Sequence, residues 1–328
     1  MKFFIVKNNR KEVKMINNII GNTPMVKIKY EYNKNIKNIY AKLEYYNYTG
    51  SIKDRLALYI LTESKRMGLL KDNQIIVEAT SGNTGISFAA LGAYFGHEVH
   101  IFMPKNVSVE RRKLIELYGA KLHLIDAGFK DTIKEADLYA RKNNAFRPNQ
   151  FSNVMNINAH YYGIGEEIIN KSLNINGFVS GIGTGGTLMG VGKRLKEYNK
   201  KIKIIALEPK TMPLLSEGKI IGPHKIEGIG DDFIPKLVDK NIIDEVISID
   251  DEDAINMSRI LSQKFGLGVG ISSGANFLAG VLSKIDNLVT VFADDSKKYL
   301  STDLIKPINN DKNLISNNIK IISIEFIK

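Results

Sequence analysis

The chain has 328 residues, 44% of them hydrophobic and 25% charged, with a formal net charge of +11. That is a globular composition with enough chain for two domains, and the absence of cysteine excludes disulfides, thiol nucleophiles and thiolate-held zinc or iron–sulfur clusters. The lysines are dispersed and do not alternate with aromatics, so the charge reads as a compositional bias toward Lys, Asn and Ile and not as a nucleic-acid surface, while the basic field could still help gather an anionic cofactor or substrate.

No run approaches the roughly 18 apolar residues of a membrane span. The opening Met1-Lys2-Phe3-Phe4-Ile5-Val6-Lys7 is too short in apolar residues for a secretory core. A cytoplasmic protein with no membrane partner is expected. In chain order, apolar β-rich runs predict strands at 39–43, 75–79, 98–103, 122–125, 177–180, 202–207, 245–249 and 288–292. Stretches of helical spacing, such as 111–118 and 131–142, lie between most of them. This alternation argues an α/β fold with mostly parallel sheets. The loop-rich segment 143–158 marks a domain junction. The tail ends in a partial alternation, Ile319 to Phe326, suited to an edge strand or a subunit contact.

Four segments carry chemistry. The first is Asn47-Tyr48-Thr49-Gly50-Ser51-Ile52-Lys53-Asp54-Arg55, with Lys53 opening an apolar helical run. The positive first turn of a helix repels an ammonium and favours the neutral, nucleophilic amine that a Schiff base with an aldehyde cofactor requires. The second, Glu78-Ala79-Thr80-Ser81-Gly82-Asn83-Thr84-Gly85, leaves a strand and enters a small-residue helix. Free N–H groups there form a nest for a carboxylate or phosphate. The third, Ser180-Gly181-Ile182-Gly183-Thr184-Gly185-Gly186-Thr187, precedes a helix and suits a phosphate. It also fits the G-x-G-x-x-G dinucleotide pattern, with Glu208 about twenty residues on, so an NAD-dependent dehydrogenase is a rival reading. That rival leaves Lys53 and the Asn83 loop unexplained. The fourth, Gly270-Ile271-Ser272-Ser273-Gly274, could offer a serine hydroxyl to a heteroaromatic nitrogen. The five histidines show no metal-ligand set beyond the pair His97/His100, and no metal is expected.

Together these segments resemble the cysteine synthase (O-acetylserine sulfhydrylase) and cystathionine β-synthase family, fold-type II enzymes of pyridoxal 5′-phosphate (PLP). The match runs from Ile20-Gly21-Asn22-Thr23-Pro24 to Asp294-Asp295-Ser296-Lys297-Lys298-Tyr299-Leu300-Ser301. It includes Glu110-Arg111-Arg112-Lys113-Leu114, Gln150-Phe151-Ser152-Asn153 and the run from Gly222 to Gly230. The resemblance implies two three-layer domains with PLP in the cleft between them. The smaller, mobile one would span 46–154, and the larger 1–45 with 155–328. It implies Lys53 as the Schiff-base and proton-moving lysine and Asn83 at the cofactor's ring oxygen. Thr80, Ser81, Asn83, Thr84 and Gln150 would hold the substrate carboxylate. Gly183, Thr184, Gly185, Gly186 and Thr187 would cradle the phosphate, and Ser273, or else Ser272, would meet the ring nitrogen. The implied activity is replacement of the β-substituent of an L-amino acid by way of α-aminoacrylate, in a homodimer.

The chain departs from the cysteine synthase pattern at Asp231-Asp232, where small residues are usual, and at Tyr48 and Val107. Asp232 matches the cystathionine β-synthase branch. Carboxylates facing the substrate would repel incoming hydrosulfide and could activate a neutral nucleophile. The expected reaction is therefore the sulfide-releasing one. L-Cysteine loses hydrosulfide and gains water, activated by Asp232, to give L-serine, or gains a thiol. Synthesis of cysteine from O-acetylserine and sulfide is the alternative, and an inert regulatory relative a further one.

Overall fold

The computed structural model describes residue 16 and residues 18–306 and 313–327; residues 1–7, read above for a leader, and 309–312 of the tail lie outside them. A strand that the sequence reading left out comes first. β1 (Met25–Tyr32) pairs antiparallel with β2 (Asn35–Leu43). The turn between them puts Asn33 and Lys34 at φ of 49° and 63°. Two successive left-handed residues match the twist of a tight hairpin, and Asn takes that conformation at low cost. Val26, Ile28 and Tyr30 are buried and Lys29 is exposed, an alternation that was legible in the sequence.

The chain then lays down α1 (Lys53–Arg66), β3 (Ile76–Ala79), α2 (Asn83–Phe95), β4 (Val99–Pro104), α3 (Val109–Leu117), β5 (Lys121–Ile125) and α4 (Phe129–Lys142). Strands β3, β4 and β5 form a parallel sheet, and Phe146 bridges to Ile76 at its other edge. Every residue of β3 is buried, as expected when helices cover both faces. One apolar cluster joins α1 and α2 to this sheet through Leu56, Phe88 and Ile101; another sits on the opposite face around Val77, Phe102 and Ala136 of α4.

Next come α5 (Val154–His160), a π-helical turn at Tyr161–Gly165, α6 (Glu166–Asn170), β6 (Gly177–Gly181), α7 (Gly186–Tyr198) and β7 (Lys203–Pro209). They are followed by β8 (Glu245–Ile249), α8 (Asp251–Phe265), α9 (Ile271–Leu282), β9 (Leu288–Phe292) and β10 (Lys320–Ile327). The second sheet has the order β10-β1-β2-β9-β6-β7-β8. From β2 to β8 its neighbours are parallel. The tail strand β10 closes the edge antiparallel to β1, with a register shift between Lys29 and Tyr30. Met257, Leu278 and Phe292 pack on one face of this sheet and Leu188, Val191 and Phe178 on the other.

This topology fixes where a ligand can bind. After β6 the chain moves outward to β7 and β8, then returns through α8 and α9 to β9 on the other side of β6. The crevice at the carboxyl ends of β6 and β9 is the switch point at which open α/β sheets take ligands.

Candidate active site

Lys53 lines a cavity of about 530 Å³ and also a recess of about 40 Å³ behind it. Its position is set by the end of β9: Ile52 N–H donates to Ala293 O (2.8 Å), and Ser51 bridges to Asp294. The preceding turn is held by Asp54, whose carboxylate accepts from Thr49 N (2.7 Å), Thr49 Oγ1 (2.6 Å) and Ser87 Oγ (2.7 Å). Lys298 Nζ donates to Gly50 O (2.7 Å). Lys53 is the first residue of α1, as the sequence argument required. Burial lowers its pKa, against the opposing fields of Asp231 and then Asp294. Desolvation therefore joins the helix dipole in favouring the neutral amine.

Thr80 to Thr84 turn from β3 into α2 along one wall of the cavity. Gly82 N–H donates to Thr80 Oγ1 (2.9 Å) and Thr84 Oγ1 to Gln150 Oε1 (2.7 Å). Gln150 Nε2 donates to Ala79 O (2.9 Å), and Arg147 pairs with the buried Glu78 beside it. The structure thus brings Thr80, Ser81, Asn83, Thr84 and Gln150 together. Asn83 Nδ2 donates to Asp294 Oδ2 (2.7 Å), while its Oδ1 is buried with no partner among the described residues.

The loop Gly181–Thr187 leaves β6 on the opposite wall. Gly185 is left-handed (φ 86°) and caps α7. A Cβ on Gly183 would lie 2.3 Å from Gly228 O, so the loop can sit this close to its neighbour only without a side chain. Asn156 Nδ2 donates to Thr184 Oγ1 and to Gln150 O, both at 2.9 Å, and so ties the two walls together. The first turn of α7 supplies N–H groups that the helix leaves unpaired.

At the start of α9, Ser272 lines the recess behind Lys53. Ser273 is fully buried, and its Oγ accepts from Ala293 N–H at 3.1 Å. Of the two serines expected near the ring nitrogen, Ser272 lines the recess and Ser273 faces Ala293. Glu208, which the dinucleotide rival needed for a ribose, is buried and accepts from Leu215 N–H (2.8 Å) and Ser216. His97 binds Gln74 O and His100 binds His123 and Glu98. Among the described residues no group of three or more His, Asp or Glu side chains could hold a metal.

The chain from Gly228 to Asp231 lines the cavity, and Asp232 follows it. Burial pushes the Asp231 carboxyl up to about 6, despite the attraction of Lys53, with Asp232 adding repulsion. Asp232 lies with Oδ2 3.6 Å from Lys130 Nζ, and its Oδ1 is buried without a partner among the described residues. Phe233 next to it meets Phe151, which meets Phe129, at centroid distances of 5.2 and 5.4 Å. This row links the loop to the β3–β5 side. The sequence reading assigns no role to Arg111, Glu227, Asp294 and Tyr299, a contact cluster of which Arg111 and Glu227 line the cavity; all four fall inside runs that carry the family resemblance.

These residues fit PLP. A buried lysine amine biased to neutrality, the Asn83 side-chain amide in the same cavity wall and a glycine loop with no room for Cβ atoms are the partners of an aldehyde, a ring substituent and a phosphate.

The comparisons agree. Residues 16–293 match the family model described as pyridoxal-phosphate dependent enzyme. Cysteine synthase B of Campylobacter jejuni is 44% identical over 297 residues, covering 88% of this chain and 97% of that protein. A hydrogen sulfide-producing enzyme from Fusobacterium nucleatum is 47% identical, with a TM-score of 0.92 over 96% of this chain and 98% of that one. A D232N form of a hydrogen sulfide-producing enzyme, in that enzyme's own numbering, was solved with an α-aminoacrylate intermediate. It is 46% identical with a TM-score of 0.92, over 96% and 99% of the two chains. The chain is a member of the pyridoxal-phosphate dependent enzyme family, a fold-type II enzyme of the cysteine synthase kind.

Proposed function

We propose that the enzyme acts on L-cysteine, releasing hydrogen sulfide and adding water to give L-serine, or adding a thiol. The observation that carries this reading is Asp231 in the wall of the Lys53 cavity, followed directly by Asp232, which has a buried oxygen with no partner among the described residues. The likeness to hydrogen sulfide-producing enzymes supports it.

When bound, PLP supplies the electron sink that lets the Cα proton and the β-substituent depart. Lys53 Nζ holds the cofactor and carries the proton at Cα. Gly183, Thr184, Gly185, Gly186 and Thr187 hold the phosphate, with Ser272 at the ring nitrogen and Asn83 at the ring oxygen. A neutral serine cannot hold a protonated ring as a carboxylate would, so the sink stays mild, which suits expulsion of a β-substituent. Thr80, Ser81, Asn83, Thr84 and Gln150 orient the substrate carboxylate. The Asp232 oxygen binds a water and takes its proton as oxygen adds at Cβ. Asp231 adds negative charge that disfavours return of hydrosulfide. Closing of the segment 46–154 over the rest would exclude water from the remaining steps. A cytoplasmic homodimer completes the proposal, on the strength of family and composition.

L-Cysteine supplied alone is expected to yield sulfide and serine or lanthionine, with little pyruvate. Asp232→Asn should lower serine formation about a hundredfold, the usual range for loss of a general base, while sulfide release in the first turnover persists. Unchanged serine formation removes Asp232 from the role. Rapid cysteine synthesis from O-acetylserine and sulfide, with no cysteine breakdown, reverses the proposed direction.

A further inference from the structure

Arg111, in the first turn of α3, is 2% exposed. A guanidinium at that depth requires paired charges and planar contacts, and Arg111 has both. It forms an ion pair with Glu227, the residue before Gly228 on the strand of chain that leads to Asp231. Its Nη2 lies 3.9 Å from Asp294 Oδ2, the oxygen that accepts from Asn83 Nδ2 at 2.7 Å and from the Tyr299 hydroxyl at 2.8 Å. The guanidinium carbon lies 4.6 Å from the centroid of the Tyr299 ring. The aliphatic stem covers Gly82: a Cβ there would fall 2.2 Å from Arg111 Cδ and 2.5 Å from Nε.

One side chain thus touches the middle of the Thr80–Thr84 loop, the chain leading to the Asp231-Asp232 loop, and the end of β9. We propose that Arg111 is a positioning residue that clasps the carboxylate-binding loop, fixing residues 80–84 from behind Gly82 while it pairs across the cleft with Glu227. The proposal rests on the reading above that this loop holds the substrate carboxylate. Its charge is matched by Glu227 and Asp294, so Arg111 acts through the shape of the loop. Lysine would keep the charge and lose both the ring stacking and the forked pairing.

The holoenzyme, titrated with L-alanine and with L-alaninamide and followed by the cofactor's visible absorption, tests this. L-Alanine has the carboxylate and no leaving group; the amide lacks the carboxylate. Wild type should prefer L-alanine by about tenfold or more, ~1.4 kcal/mol. Arg111→Lys should weaken L-alanine by about tenfold and the amide by less than about threefold. Glu227→Gln should show the same selective loss, and it decides the matter alone if Arg111→Lys does not fold. Equal weakening of both ligands, or of neither, overturns the clasp. A wild type that does not distinguish the two ligands overturns the carboxylate-loop reading itself, and the clasp with it, which separates the two failures.

Discussion

At the residue scale the site is governed by where charge is allowed to be. Lys53 and Asp231 share one cavity, and burial biases each toward its neutral form. This has a consequence for stability. Asp231 titrates at about 6 in the fold against an ordinary 3.8, so the folded protein keeps a proton that the unfolded chain has already released. The stability this proton confers is complete below the ordinary value and disappears as pH rises toward 6. Asp231→Asn should remove that dependence. In cofactor-free enzyme the denaturant midpoint of wild type should fall, relative to Asp231→Asn, between those two pH values; parallel profiles would contradict the assignment. Legibility at this scale was uneven. Lys53 and Asn83 could be picked out because their residue types at strand–helix turns are chemically demanding. Ser272 and Ser273 are not separable in the sequence, since adjacent residues at a helix start differ only in which way each hydroxyl faces; in the fold Ser273 faces Ala293 and Ser272 the recess.

At the scale of elements, the two functional loops are both strand-to-helix turns, and their tight approach to neighbouring chain depends on glycine. Gly183 faces the backbone carbonyl of Gly228. A backbone atom cannot rotate out of the way as a flexible side chain would, so Gly183→Ala must displace one loop from the other. The expected result is cofactor affinity lowered by about tenfold or more, at least ~1.4 kcal/mol, with the fold retained; fluorescence titration of the cofactor-free enzyme with PLP measures it. The strands were largely legible: the run predicted at 177–180 is β6 at Gly177–Gly181, and 245–249 is β8 at Glu245–Ile249. β1 escapes an apolar count although it alternates cleanly, because Lys27, Lys29 and Glu31 fill its alternate positions. The tail strand was left undecided because an edge strand is defined by its partner, and that partner, β1, is some three hundred residues away in sequence.

At the scale of the whole molecule, α1 and its Lys53 are anchored by buried charge. Arg55 pairs with Glu44 at 2.5 Å and with Glu167 at 2.6 Å, and Lys42 also reaches Glu167 at 2.6 Å. The cluster joins β2, α1 and α6, elements from distant parts of the chain. Burial alone would raise the Glu167 pKa, yet Arg55 and Lys42 bring it down to about 2. Its contribution is therefore present above the usual glutamate range and is lost as pH falls toward 2. Glu167→Gln leaves two buried cations short of an acceptor and should cost about 3–5 kcal/mol, read from urea denaturation at neutral pH. A cost below about 1 kcal/mol would show that water already screens the cluster.

The sequence by itself determined the local chemistry of this protein. Strand–helix alternation, a lysine at a helix start, a small-residue turn into a helix and a glycine loop each depend on residues close together in the chain, and that is where sequence patterns have force. Tertiary structure decided what faces what. It turned Asp231 into the cavity, set Asp232 beside Lys130 with one oxygen left unpartnered among the described residues, directed Glu208 to a backbone turn, and buried Arg111 against Gly82. Those outcomes follow from burial and from contacts across the cleft, which depend on the packing of distant segments and leave no spacing in the sequence to read.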